Sequence, residues 1–292
     1  MKTEKYEFYH QSNLMQVGNL IDDLHRVHVH LLKLQRRYYR IYGKYASFAR
    51  ICNHITKLKA RTQPHWNQLP SQVIQQVAKR IHLGYEKFFE NIEDRKVGKT
   101  KRKVGRPRIK PTHKYNSLTF TQAGFKIEEN RLTINCLKKS FTFWKHREWT
   151  GTIKTVTIKR DTVGDYYLYL TCEDCEPSEK LPLTGNVAGA DLGMKTFLTL
   201  SDGTKIESPE FYKQGLNALR SANKALSRKQ KGSHAWYRAK RHLARVHKKI
   251  ASRRRDYFFK VALRPLYPPT QSIPKMVGAV SLGKHPSKNT AP

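Results

Sequence analysis

The sequence predicts an α+β protein, and three observations carry that prediction. Residues 12–93 repeat apolar side chains at alternating gaps of three and four, the spacing of helices with one buried face. Residues 115–171 break into short segments with period-two alternation, divided by Asn, Gly, Glu and Asp turns, which suggests a small barrel. The stretch from Asn186 to Gly203 reads as strand, turn and strand, and a long basic helix follows it.

Charge bounds the function. The chain of 292 residues has 57 Lys and Arg against 22 Asp and Glu, a net charge of +35, with 38% hydrophobic residues to build cores. A surplus this large opposes compaction unless a polyanion neutralises it, so the expected partner is nucleic acid. No apolar run approaches the roughly 18 residues that cross a bilayer, and Met-Lys-Thr-Glu-Lys-Tyr at the start lacks a signal-peptide core. A cytoplasmic protein with no membrane contact is expected. Cys52, Cys136, Cys172 and Cys175 are too few and too scattered for a disulfide framework and should be reduced.

In chain order, residues 2–10 alternate loosely as a short first strand. Leu20, Leu24, Val27, Leu31, Leu34, Tyr38 and Ile41 then mark one long amphipathic helix from Ser12 to about Tyr42. His25, His28 and His30 fall beside or away from that stripe, as rim or surface residues. Tyr45, Phe48, Ile51, Ile55 and Leu58 mark a second helix. Ser71 can cap a third, with Ile74, Val77, Ile81, Tyr85 and Phe88 on its inner face. The arginines and lysines between these positions suit a solvated face or a nucleic-acid face equally.

Residues 95–111 hold hardly an apolar side chain and only basic charges, so they form a linker or exposed loop. Lys101, Arg102, Lys103, Arg106, Arg108 and Lys110 are its candidate phosphate contacts. Gly105-Arg106-Pro107-Arg108 also has the form of an AT-hook, an arm that lays arginines in a narrow minor groove. In the β region that follows, Phe143, Trp144, Lys145, His146, Arg147 and Trp149 offer aromatics beside cations for base stacking, with barrel core as the alternative for Phe141 and Phe143. Cys172-Glu-Asp-Cys175 has the spacing of half a zinc ribbon, but no second pair follows, and two free thiols at a strand end explain it better.

Asp191 sits inside an apolar run, where a charge is costly to desolvate. It is a candidate ligand for Mg²⁺ or Mn²⁺, with a turn at Asp-Leu-Gly as the alternative. Asp202-Gly203 should supply the positive φ angles of a tight hairpin. Beyond, Trp236, Ala239, Leu243, Val246, Ile250, Tyr257 and Val261 trace a helical stripe, and no acid occurs between Glu210 and Asp256. Its candidate nucleic-acid contacts are Arg228, Lys229, Arg238, Arg241, Arg245, Lys248, Lys249, Arg253 and Arg254. After Leu263 the chain is proline-rich and aperiodic, and residues 263–292 are expected to be a disordered tail.

These pieces together resemble the TnpB family, the OrfB-type proteins of insertion sequences, related to type V CRISPR effectors. Gly189-Ala-Asp-Leu-Gly-Met-Lys-Thr-Phe-Leu-Thr-Leu-Ser-Asp-Gly203 is similar to its first RuvC-like motif. Leu69-Pro70-Ser71, Gly105-Arg-Pro-Arg-Ile-Lys110 and Arg253-Arg254-Arg255-Asp256 also look like that family. The resemblance implies a helical recognition module (12–94) inserted in an OB-like β-barrel wedge domain (1–11 and 115–182), joined through a basic linker (95–114). A partial RNase H-like, RuvC-type α/β domain (183–262) would follow. It further implies DNA and a transposon-end guide RNA as partners, with Mg²⁺-dependent DNA cleavage in which Asp191 is the first catalytic carboxylate and metal ligand. The family's second and third acids and its four-cysteine zinc ribbon have no counterpart after Asp256. The expectation is therefore a C-terminally truncated, catalytically incomplete nucleic-acid binder. A nuclease-dead guide-RNA or DNA-binding repressor and a non-functional remnant are the alternatives.

Overall fold

The computed structural model describes residues 1–101, 105–121, 123–173, 189–193 and 195–263. The chain separates into two compact units, dividing between Glu176 and Pro177. The first contains a seven-stranded antiparallel sheet made of β1 (Lys2–Phe8), β2 (Ser117–Thr121), β3 (Phe125–Glu128), β4 (Arg131–Ile134), β5 (Lys139–Trp144), β6 (Thr152–Arg160) and β7 (Tyr166–Glu173). The strand order is β2-β6-β7-β1-β5-β4-β3. Its two outermost strands, β2 and β3, are therefore consecutive in sequence and joined by residues 122–124. A flat sheet of this width would hold those edges roughly 29 Å apart, at about 4.8 Å per strand. Three residues reach only about 10 Å, so the sheet must roll until its edges nearly meet.

Rolling gives the sheet an inside, and the alternation fills it. Tyr6, Phe120, Phe141, Phe143, Ile158 and Leu168 are fully buried. Phe8 packs edge-on against Phe141 and Phe143 at centroid distances of 6.4 and 6.3 Å. Phe141 and Phe143 are thus core. Trp149 is half-buried against Tyr6, and the Lys145 ammonium lies 4.5 Å from the centre of its ring. Trp144 stays 52% exposed.

Three helices interrupt the sheet between β1 and β2: α1 (Leu14–Tyr42), α2 (Phe48–Arg61) and α3 (Ser71–Lys96). They are anchored to it by polar contacts. Arg160 of β6 donates to Asp22 of α1 at 2.7 Å, and Arg80 of α3 donates to Thr119 of β2. Three expectations change here. Ser71 is the first residue of α3 rather than its cap, because Pro70 holds the N-cap position. The cap found instead is Ser47, whose hydroxyl accepts from the Arg50 amide and starts α2. Ile41 is 58% exposed, because α1 runs on past the core that buries Leu20 to Leu32. His28 is buried, its ring 5.2 Å from that of Tyr115, because the β region supplies a wall that the helix pattern alone does not contain.

The basic segment is docked rather than free. His25 Nε2 lies 2.7 Å from the Lys110 carbonyl, Ile109 packs on the core, and Arg106 lies 5.5 Å from the ring centre of Tyr39. Pro107 approaches α3 at Gly84, where an added Cβ would sit 3.4 Å from its ring.

The second unit holds a three-stranded antiparallel sheet, order β10-β9-β8, of β8 (Ala190–Asp191), β9 (Thr196–Leu200) and β10 (Lys205–Glu207). Two helices follow, α4 (Phe211–Ser227) and α5 (His234–Leu263). They approach closely at Gly215, where an added Cβ would fall 2.4 Å from Ile250 Cδ1, so any larger residue would have to displace the Ile250 side chain. Cys175 and the tail after Leu263 lie outside the described residues.

Candidate nucleic-acid interface and the Asp191 strand

Asp191 lies in a strand. β8 pairs with β9 through Ala190 opposite Leu200 and Asp191 opposite Thr199, and the Ser201 amide extends the pairing by donating to the Gly189 carbonyl at 2.9 Å. The connection between the strands is tight at Gly193, where a Cβ would meet the Thr196 carbonyl oxygen at 2.7 Å. At the next turn only Gly203 has a positive φ, +84°. Asp202 contributes through its side chain, accepting from the Thr204 amide at 2.8 Å, and that bond holds its carboxyl below the ordinary range.

Register sets what Asp191 faces. Thr199 opposes both Asp191 and Lys205, so these three residues form one row across the sheet. Phe197, two residues along β9, lies where the pairing of β9 with β10 shifts register. Its ring is parallel to Phe258 of α5, 5.2 Å between centroids at 8°, and 5.8 Å from Tyr257. The Tyr257 hydroxyl donates to the Glu207 carbonyl at 2.7 Å. The end of α5 is thereby fixed on the sheet that carries the acid. Lys205 is a residue that the sequence reading misses, although pairing across the Asp-Gly turn would find it.

Along α5, Arg238, Arg241, Arg245, Lys249 and Arg253 are exposed and recur at gaps of three and four. They form one row about 22 Å long at 1.5 Å per residue. Arg228, Lys229 and Arg254 are also exposed, while Lys248 is half-buried. The nearest acid, Asp256, is tied to Lys260 at 2.8 Å. Like charges this close repel unless counter-charge is supplied, so the row suits a phosphate backbone. Lys101, Arg106, Arg108 and Lys110 are exposed in the first unit, and Arg102 and Lys103 lie outside the described residues.

A two-metal phosphodiesterase site needs several carboxylates around cations about 4 Å apart. Asp191 is exposed on a two-residue strand, and no three His, Cys, Asp or Glu side chains converge among the described residues. These residues do not fit a complete magnesium site. No helix among them is long and apolar enough to cross a membrane.

Residues 169–264 match the family OrfB_IS605, described as "Probable transposase". The chain is 28% identical over 221 residues to the "Putative RNA-guided DNA endonuclease InsQ" of Escherichia coli (strain K12), covering 75% of this chain and 52% of that protein. It is 29% identical over 201 residues to a "Putative RNA-guided DNA endonuclease" of Streptomyces pristinaespiralis, covering 68% and 47%. The chain thus spans about half the length of the curated relatives it matches. Among solved structures, a CRISPR-Cas12f ternary complex overlaps 88% of this chain and 60% of its own at 10% identity, with a TM-score of 0.33. The matched segment takes in β8, β9, β10, α4 and α5, and both relatives carry the same kind of name: this part of the chain is similar to the OrfB, or TnpB-type, family of insertion-sequence proteins.

Proposed function

We propose that this chain is a transposon-associated nucleic-acid-binding protein that grips a guide RNA and its target DNA, and that Asp191 is one carboxylate of a RuvC-like phosphodiesterase site which the described residues do not complete. The observation that carries the proposal is the exposed cation row of α5, fixed by Tyr257 and Phe258 to the sheet that bears Asp191. The relatives' names support RNA and DNA as the partners. The three-helix module would serve recognition, the rolled sheet would be the wedge, and β8–β10 with α4 and α5 would be the partial nuclease domain. With no three His, Cys, Asp or Glu side chains converging among the described residues, the chain by itself would bind without cutting, which also favours the reading of a protein that occupies DNA and blocks it.

The test is to purify the chain, sequence the RNA that accompanies it, and incubate the complex with matching DNA and Mg²⁺. A defined transcript and intact DNA are expected. Cutting that Asp191→Ala abolishes would show the site to be complete, and a random RNA population would reduce the protein to a bare polycation. Replacing Arg238, Arg241 and Arg245 with Gln should weaken binding to every sequence alike. It should also lower the slope of log affinity against log salt by about 0.9 for each phosphate that is no longer neutralised.

A further inference from the structure

We propose that the outer end of the three-helix module is a stacking platform for the unpaired bases of a single-stranded nucleic acid. This rests on the nucleic-acid-binding reading above and adds where bases, rather than phosphates, are gripped. Tyr39, Tyr42 and Phe89 are 39%, 59% and 42% exposed there. Their rings are nevertheless braced from behind. Tyr39 stacks on Tyr45 at 4.6 Å and 20°, Tyr42 lies 4.5 Å from Tyr38, and Phe89 lies 5.4 Å from Tyr45. Gly43, at φ +67°, ends α1 one residue after Tyr42, and its amide bonds back to the Tyr39 carbonyl at 2.9 Å. A ring held on one side and open on the other loses little further freedom when a base lands on it.

The charges around the rings choose the partner. Arg50 lies 5.4 Å from the Tyr38 ring centre, Arg106 lies 5.5 Å from that of Tyr39, and Arg40 is exposed beside them. No acid occurs between Leu24 and Tyr85. Of the acids that follow on α3, Glu86 is met by His82, Glu93 by Lys96 and Asp94 by Lys99, which leaves Glu90. An apolar partner would strand these arginines, and a second copy would bring like charges against them. A single strand offers π faces to the tyrosines and phosphates to the arginines, whereas a duplex hides its base faces.

The test uses the full chain and single-stranded and duplex oligonucleotides of one sequence, the single strand carrying 2-aminopurine. Binding should quench the fluorophore. Tyr42→Ala should remove the quench and weaken single-strand affinity by about 5- to 150-fold, the loss of one stacked base, while Tyr42→Phe retains both. Duplex affinity and the melting midpoint should not move, and Phe89→Ala supplies a second substitution. Unchanged single-strand affinity in both alanine variants overturns the platform. If the α5 glutamine variant still loses affinity, the broader reading survives that result, and if it does not, both fall. A dimer in sedimentation that Tyr42→Ala dissolves would make this face an interface between copies and would also overturn the proposal.

Discussion

Phe143 and Phe197 are the same side chain in strands of similar length, and they meet different surroundings. Phe143 is fully buried, with Tyr6 at 5.4 Å and Phe8 at 6.3 Å. Phe197 is half-buried, and the ring stacked on it, Phe258, is itself 43% exposed. A rolled sheet surrounds an inward side chain with strands. A three-stranded sheet under a helix hairpin covers it on one side only. Among the described residues of the second unit, the buried hydrophobic side chains are Ile206, Leu219, Ala222 and Val261. That unit also carries the α5 cation row, whose self-repulsion works against its thin packing. The first unit can stand on its core, and the stability of the second should rise with whatever neutralises its charge.

The largest expected effect breaks this contrast from the strong side. Phe143→Ala should cost about 3–5 kcal/mol and unfold the first unit at much lower urea, whereas Phe197→Ala should cost about 1–2 kcal/mol, because water already reaches one side of its ring. Hydrogen exchange followed unit by unit reads both. Equal costs would mean that the second unit is as tightly packed as the first.

A middle effect comes from pH. Burial first, then the positive charge of Lys110, His25 and Arg80, pushes the His28 imidazole from 6.5 down to about 4, and burial lowers His30 and His54 as well. These groups are neutral in the fold, while the unfolded chain takes up protons below about 6.5. The contribution of His28 is therefore whole above pH 6.5 and drains away as pH falls toward 4, and those of His30 and His54 fall in the same direction. Urea midpoints of the first unit at constant salt should drop between about pH 7 and pH 4.5, and His28→Gln should flatten part of that slope. A slope unchanged in His28→Gln would place the titration elsewhere.

The smallest effect sharpens the contrast. Asp191 is exposed at the β8 edge, so Asp191→Asn should change the stability of the second unit by less than about 0.5 kcal/mol, read from its thermal midpoint. A larger change would mean that the carboxylate serves the fold.

Much of this is legible in the sequence because it is local. The gaps of Leu20, Leu24, Val27 and Leu31 name α1, and the alternation Val156-Thr-Ile158 names β6, without reference to anything distant. Asp191 can be placed in a strand because its apolar neighbours say so. What escapes depends on packing between segments far apart in the chain. His28 reads as a rim residue until Tyr115 closes over it, and Ile41 continues a stripe whose core has already ended. Tyr39 and Tyr42 cannot be told from core aromatics, because exposure at a helix end depends on where its partners stop.

The middle place of β1 in its sheet bears on how the protein is made. Lys2 pairs with Cys172, and Phe8 with Phe143, so β1 has both its neighbours only when nearly all of the first unit has been synthesised. At translation rates of about 5–20 residues per second that delay is on the order of 10–30 s. Until β5 is made, Tyr6 and Phe8 have no strand to lie beside, while α1, α2 and α3 can already form from nearby contacts. A nascent chain halted before β5 should display those two aromatics to chaperones, and one released just after β7 should not.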